Sequence, residues 1–108
     1  MKGNAKVIEV LKELLRGELA ARDQYFLHSR QYEDLGLTKL FVRMDHEMAE
    51  ETQHADAILK RILFLGGTPD MRPHEITPGT DVVGMLQSDL EVERFVQQQL
   101  ANAMALCE

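Results

Sequence analysis

All three prolines of this 108-residue chain, Pro69, Pro73 and Pro78, fall in one stretch, GTPDMRPHEITPGT. Proline lacks a backbone donor and its ring clashes with the preceding helical turn, so this stretch is not helix. The rest of the chain can be, because Leu, Ala, Met, Glu and Gln dominate it and favour helix. The spacing of apolar residues predicts three helices. The first runs from about Lys6 to Asp34, with Gly36 as its stop; the second runs from about Thr38, a possible N-cap, to Leu65, closed by Gly66-Gly67; the third starts near Asp81 and continues to Glu108.

Connection lengths set the expected topology. A few residues around Leu35-Gly36-Leu37 join the first two helices, which must fold back as an antiparallel hairpin. The second connection, about 15 residues, reaches roughly 50 Å when extended, whereas a helix of about 28 residues is only about 42 Å long. It can therefore run back along the second helix and set the third parallel to it. The expectation is an all-α bundle, one domain over residues 1–108, with a long crossover between its second and third helices. Leu100, Met104 and Cys107 carry the apolar stripe to the end of the chain, so the pattern predicts an open groove where a fourth helix should pack. The chain then reads as a fragment, or as one that completes its core with another copy.

Composition narrows the partners. A formal net charge of −6 argues against nucleic acid, whose backbone needs cationic neutralisation, and fits attraction of cations. The single cysteine, Cys107, has no internal disulfide partner and suits a reducing compartment. The opening MKGNAKVIEV lacks the apolar run of a signal peptide. No stretch approaches the roughly 20 apolar residues of a membrane span. A cytoplasmic protein is the expectation.

Each predicted helix places a carboxylate in the middle of its apolar face. At about 100° per residue, Leu40, Met44, Ile58 and Ile62 lie within about 20° of Glu51, and His54 within about 60°. The same count puts Val7, Leu11 and Tyr25 beside Glu18, and Val82, Leu86, Leu100 and Met104 beside Glu93. Glu and His three apart on a helix project to the same side and can hold one metal ion. A single buried Glu is usually a structural residue with an ion-pair partner, here Arg22. Three at matched positions, with a His at ligand spacing, point instead to a metal, because isolated buried carboxylates are costly. Oxygen and imidazole donors suit iron. His46 and Glu50, one turn apart, read equally as ligands on a second face or as a solvated pair. His28 and His74 have no partner spacing and are expected at the surface. Met44, Met48 and Met104 read as core filler, and Tyr25, by spacing alone, as core.

The segments GELAARDQYFLHSRQYEDLG, HEMAEETQHADAILKRILFLGGTP and SDLEVER together resemble the bacterioferritin and bacterial ferritin family over the whole chain, the haem-free type above all. The resemblance implies a four-helix bundle with a di-iron ferroxidase centre, assembled as a 24-subunit shell for iron storage and detoxification. It places metal ligands at Glu18, Glu51, His54 and Glu93, with Glu51 bridging, a tyrosine beside the centre at Tyr25, and an inner-surface iron site at His46 and Glu50. Two departures stand out. Haem-binding members carry Met after the bridging Glu, where this chain has Thr52, which argues against haem. The family's second Glu-x-x-His, on its fourth helix, has no counterpart here.

The function expected is iron(II) oxidation and iron storage. Two other readings stand beside it. Two copies could pair about a two-fold axis, by dimerisation or segment exchange, and rebuild a symmetric site from two half-sites. Alternatively, the chain is a structural or assembly module that binds no iron, its carboxylates neutralised by Arg22 and similar residues.

Overall fold

The computed structural model describes residues 4–107, without the Cys107 side chain; the expected extension of the third helix to Glu108 and the stripe position of Cys107 lie outside what is described. Three helices follow one another: α1 Ala5–Asp34, α2 Thr38–Phe64 and α3 Val82–Cys107.

Their ends show why the segments stop where they do. The Asn4 side chain caps α1 by accepting from the Lys6 N–H at 2.8 Å, satisfying one of the donors a helix start leaves open. α1 closes with Leu37 N–H donating to the Tyr32 carbonyl at 2.9 Å and Gly36 N–H to the Glu33 carbonyl at 3.0 Å. α2 repeats the arrangement with Gly67 donating to Ile62 and Gly66 to Leu63. This closure requires a left-handed residue, and Gly36 (φ 76°) and Gly66 (φ 82°) supply it. Thr38 is not the cap of α2: Leu37 holds that position, and its apolar side chain offers no capping acceptor. Asp81 Oδ1 accepts from the Gly84 N–H at 2.7 Å where α3 begins.

The hairpin of α1 and α2 forms as the short connection requires. Near the turn, the Arg30 guanidinium lies over both Phe26 and Phe41 and pairs with Asp45 at 2.8 Å. The crossover runs back over the length of the hairpin as expected, and its hydrogen bonds go to α1. Arg16 Nε donates to the Arg72 carbonyl at 2.7 Å, the His74 N–H donates to the Arg16 carbonyl at 3.3 Å, and the Gly79 N–H donates to His28 Nε2 at 3.2 Å. A proline-interrupted strap cannot satisfy its own backbone, and α1 provides partners for it. α3 then runs antiparallel to α1, with Asp89 beside His28 and Gln99 reaching Gly17, and hence parallel to α2.

Among the described residues α1 packs against both other helices, while α2 and α3 face each other across an open groove. Two apolar clusters fill the interior. One holds Leu15, Leu19, Ala55 and Ile62; the other holds Ala21, Tyr25, Tyr32, Met44 and Met85. Burying each large side chain contributes about 1.5–3 kcal/mol. In the α1 sequence Glu18 lies between Leu15 and Leu19, inside the first of these clusters. The expected stripe of α3 is not a core face here: Leu86, Leu100 and Met104 are 45%, 48% and 60% exposed, because they border the groove. Met44 is buried and Met48 half-buried, so only Met104 departs from the reading as core filler. Among the described residues no helix is long and apolar enough to cross a membrane.

Candidate metal centre

Glu18, Glu51 and His54 come together at mid-bundle, each offering one donor atom within 4.8 Å of the others. Glu18 comes from α1. Glu51 and His54 come from α2, three residues apart and therefore on the same side of the helix. The Glu18 side chain is 6% exposed, that of Glu51 12% and that of His54 56%. The group is thus two sheltered carboxylates below an imidazole that reaches solvent.

The distances separate two ways of satisfying these charges. His54 Nδ1 is 3.6 Å from Glu18 Oε2 and 3.7 Å from Glu51 Oε2, too long for hydrogen bonds. Both of those buried oxygens lack a hydrogen-bond partner. Two ligand atoms, each about 2.1 Å from one ion at a tetrahedral angle, lie about 3.4 Å apart. The spacing and the donor chemistry therefore fit a shared cation. The structural alternative needed Arg22 as counter-charge, but Arg22 pairs with its neighbour Asp23 at 3.0 Å. Burial pushes the Glu51 carboxyl above its ordinary range; His54 opposes this and Glu93 adds to it. A group held in this state releases its proton when a cation arrives.

A cavity of about 210 Å³ opens beside the cluster, lined among others by Tyr25, Glu47, Glu50 and Glu93. Glu93 faces this cavity from α3 but lies outside the three-residue group. It is exposed rather than buried on a core stripe, since the groove leaves its side of α3 open. Tyr25 is buried, and burial together with Asp89, Glu93 and Glu47 raises the pKa of its hydroxyl. Glu50 lines the same cavity while pairing with His46 at 3.0 Å. Both members of this pair have substantial exposure.

Two residues sit otherwise than the spacing suggested. His28 is fully buried, because Asp89 and the Gly79 N–H occupy its two ring nitrogens. His74 is half-buried, with Nε2 3.1 Å from Glu13 and its ring edge-on to Phe95. Both partners lie far away in sequence, which helical spacing does not register. Glu47 was not singled out, yet it lines the cavity and pairs with Arg43 at 3.1 Å. Its position four residues before Glu51 was the available signal. Thr52 points away from the cluster, exposed, with its hydroxyl donating to the Met48 carbonyl at 3.0 Å.

A helical bundle with one long crossover and a carboxylate–imidazole group at mid-length defines a recognisable class. The family described as ferritin-like domain matches residues 8–108, and the chain belongs to that family. It is 62% identical to a bacterial ferritin of Pseudomonas aeruginosa over 100% of its length and 70% of the relative's. It is 55% identical, with the same coverage, to a bacterial ferritin of Neisseria meningitidis serogroup B. A bacterioferritin of Mycolicibacterium paratuberculosis is 37% identical over 99% of this chain and 68% of its own.

Proposed function

We propose that the protein is a cytoplasmic iron-storage ferritin that takes iron(II) as its substrate and oxidises it at the Glu18–Glu51–His54 group. The carrying observation is the pair of buried, partnerless oxygens, Glu18 Oε2 and Glu51 Oε2, converging with His54. In this reading Glu18 and His54 hold one ion, Glu51 bridges to a second, and Glu93 approaches the second from α3. Each iron(II) gives up one electron to dioxygen or peroxide, and the iron(III) formed is stored within a protein shell. Tyr25 stands beside the reacting ions. Its raised pKa keeps the hydroxyl protonated, able to donate a proton or a hydrogen bond toward the oxidant. The exposed pair His46 and Glu50 would bind iron at the inner surface. Thr52 provides no thioether for haem.

In this reading the three-residue group supplies one half of a two-ion centre. The uncovered apolar residues of α3 favour assembly, either as the 24-subunit shell implied by the family resemblance or by dimerisation or segment exchange between copies.

Anaerobic iron(II) titration followed by stopped-flow oxidation tests the reading. Saturable binding, lost in Glu18→Gln and Glu51→Gln, with a fast oxidation phase of matching stoichiometry is expected. A chain that binds no iron(II), or binds it equally well without Glu51, would refute it. Sedimentation tests assembly: a stable monomer at micromolar concentration would contradict it.

A further inference from the structure

The buried polar group joining α1, the crossover and α3 enters the metal reading only through the charge of Asp89 near Tyr25. Asp89 Oδ1 accepts from His28 Nδ1 at 2.8 Å and from Gln24 Nε2 at 3.0 Å. His28 Nε2 accepts from the Gly79 N–H at 3.2 Å. Because Nε2 is an acceptor, the proton of the ring sits on Nδ1, and a single tautomer satisfies both contacts. Gln24 and His28 are 0% exposed and Asp89 is 8% exposed.

Among the described residues this group is the directional contact between α3 and α1. Apolar packing fixes a helix's rotation poorly when its large residues are uncovered, and Leu86, Leu90, Leu100 and Met104 all are. Hydrogen bonds, by contrast, tolerate little misalignment. Asp89 stands one helical turn before Glu93, so fixing its side chain fixes the direction in which Glu93 projects. Slipping α3 by one residue would turn Glu93 by about 100° and remove it from the cavity.

We propose that Gln24, His28 and Asp89 are positioning residues that set the rotation of α3 so that Glu93 faces the Glu18–Glu51–His54 group. The proposal rests on the metal reading given above and adds to it the means by which α3 is oriented.

The chain has two tyrosines and no tryptophan, and Tyr25 lines the cavity. Terbium(III), a hard trivalent ion that favours carboxylate oxygens, therefore reports on the site through tyrosine-sensitised emission. Tyr25→Phe should abolish that emission. In the 108-residue chain, Glu93→Gln should weaken terbium(III) binding about tenfold, and Asp89→Leu should weaken it about as much. Asp89→Asn keeps an oxygen that accepts both bonds and should stay within about twofold of the unmodified chain. The milder Gln24→Leu, which leaves the His28–Asp89 bond in place, should lose about threefold. The decisive test is the double variant. If Asp89 acts through Glu93, adding Asp89→Leu to Glu93→Gln costs little more than either alone, whereas independent effects multiply. Multiplying losses, unchanged binding by Asp89→Leu, or failure of Asp89→Asn to restore binding each overturns the proposal. If the unmodified chain binds no terbium(III), the metal reading falls separately. Amide hydrogen exchange then decides the positioning alone: Asp89→Leu should speed exchange across α3 but not α2, Asp89→Asn should not, and unaltered exchange in α3 overturns the claim.

Discussion

The two faces of α1 are held by different physics. Toward α2, α1 meets Leu and Ala across a dry interface: Leu15, Leu19, Ala55 and Ile62 are all nearly inaccessible. Toward α3, the buried contacts include Gln24, His28, Ser88 and Asp89 beside Met85 and Ala103. Apolar contact gives the hairpin most of its stability, because each buried side chain contributes without needing an exact angle. Polar contact contributes less net energy but specifies orientation. The candidate centre draws on both. Glu18, Glu51 and His54 sit on the apolar-packed hairpin and are already within 4.8 Å of one another, while Glu93, on the polar-docked helix, stands apart.

The largest expected effect tests whether the hairpin alone carries the metal group. Glu51→Ala should reduce metal affinity by more than the roughly 10–100-fold typical of supporting residues, as read by isothermal titration with iron(II) under nitrogen. A loss no greater than that of Glu93→Ala would place the centre's weight on α3 and reverse the comparison.

Stability should divide the same way. Leu15→Ala, in the dry interface, should cost about 2–5 kcal/mol. Leu100→Ala, at an exposed position, should cost within about 0.5 kcal/mol in a dissociated chain. Urea denaturation at several protein concentrations separates folding from assembly. A Leu100 effect that grows with concentration would show that copies cover α3, sharpening the assembly proposal.

Acid should weaken the centre through Glu51. Its folded carboxyl titrates above the ordinary value, chiefly through burial. In the metal-free chain the protonated form is therefore favoured by folding. That contribution is complete below the unfolded pKa and is lost as pH rises through the folded one. Metal binding needs the carboxylate, so affinity should rise with pH across the same window. Affinity that is flat with pH across the window above the ordinary carboxylate value would count against Glu51 as a ligand.

The smallest effect concerns the rejected counter-ion. Arg22 pairs with Asp23 on a partly exposed surface, so Arg22→Ala should change stability by less than about 1 kcal/mol and leave metal affinity unaltered. A large gain in affinity would mean that Arg22 competes for the carboxylates.

Local rules made much of this molecule readable from its amino acids. Helix propensity, three clustered prolines and two glycines that must be left-handed set the three helices to within a residue or two at the ends described. Glu51 and His54 could be paired because both lie on one helix, where spacing is direction. Glu18 followed because a carboxylate in an apolar stripe needs an explanation wherever the helix packs.

What the sequence could not determine depended on groups brought together from afar. The burial of His28 follows from Asp89, sixty-one positions later, and no helical period links them. The anchoring of the crossover depended on which carbonyls and side chains of α1 were free to accept or donate. Glu93 was placed in the right direction but at the wrong depth. A stripe reports which way a residue faces, whereas burial depends on what packs against that face, and the described residues leave the groove beside α3 open.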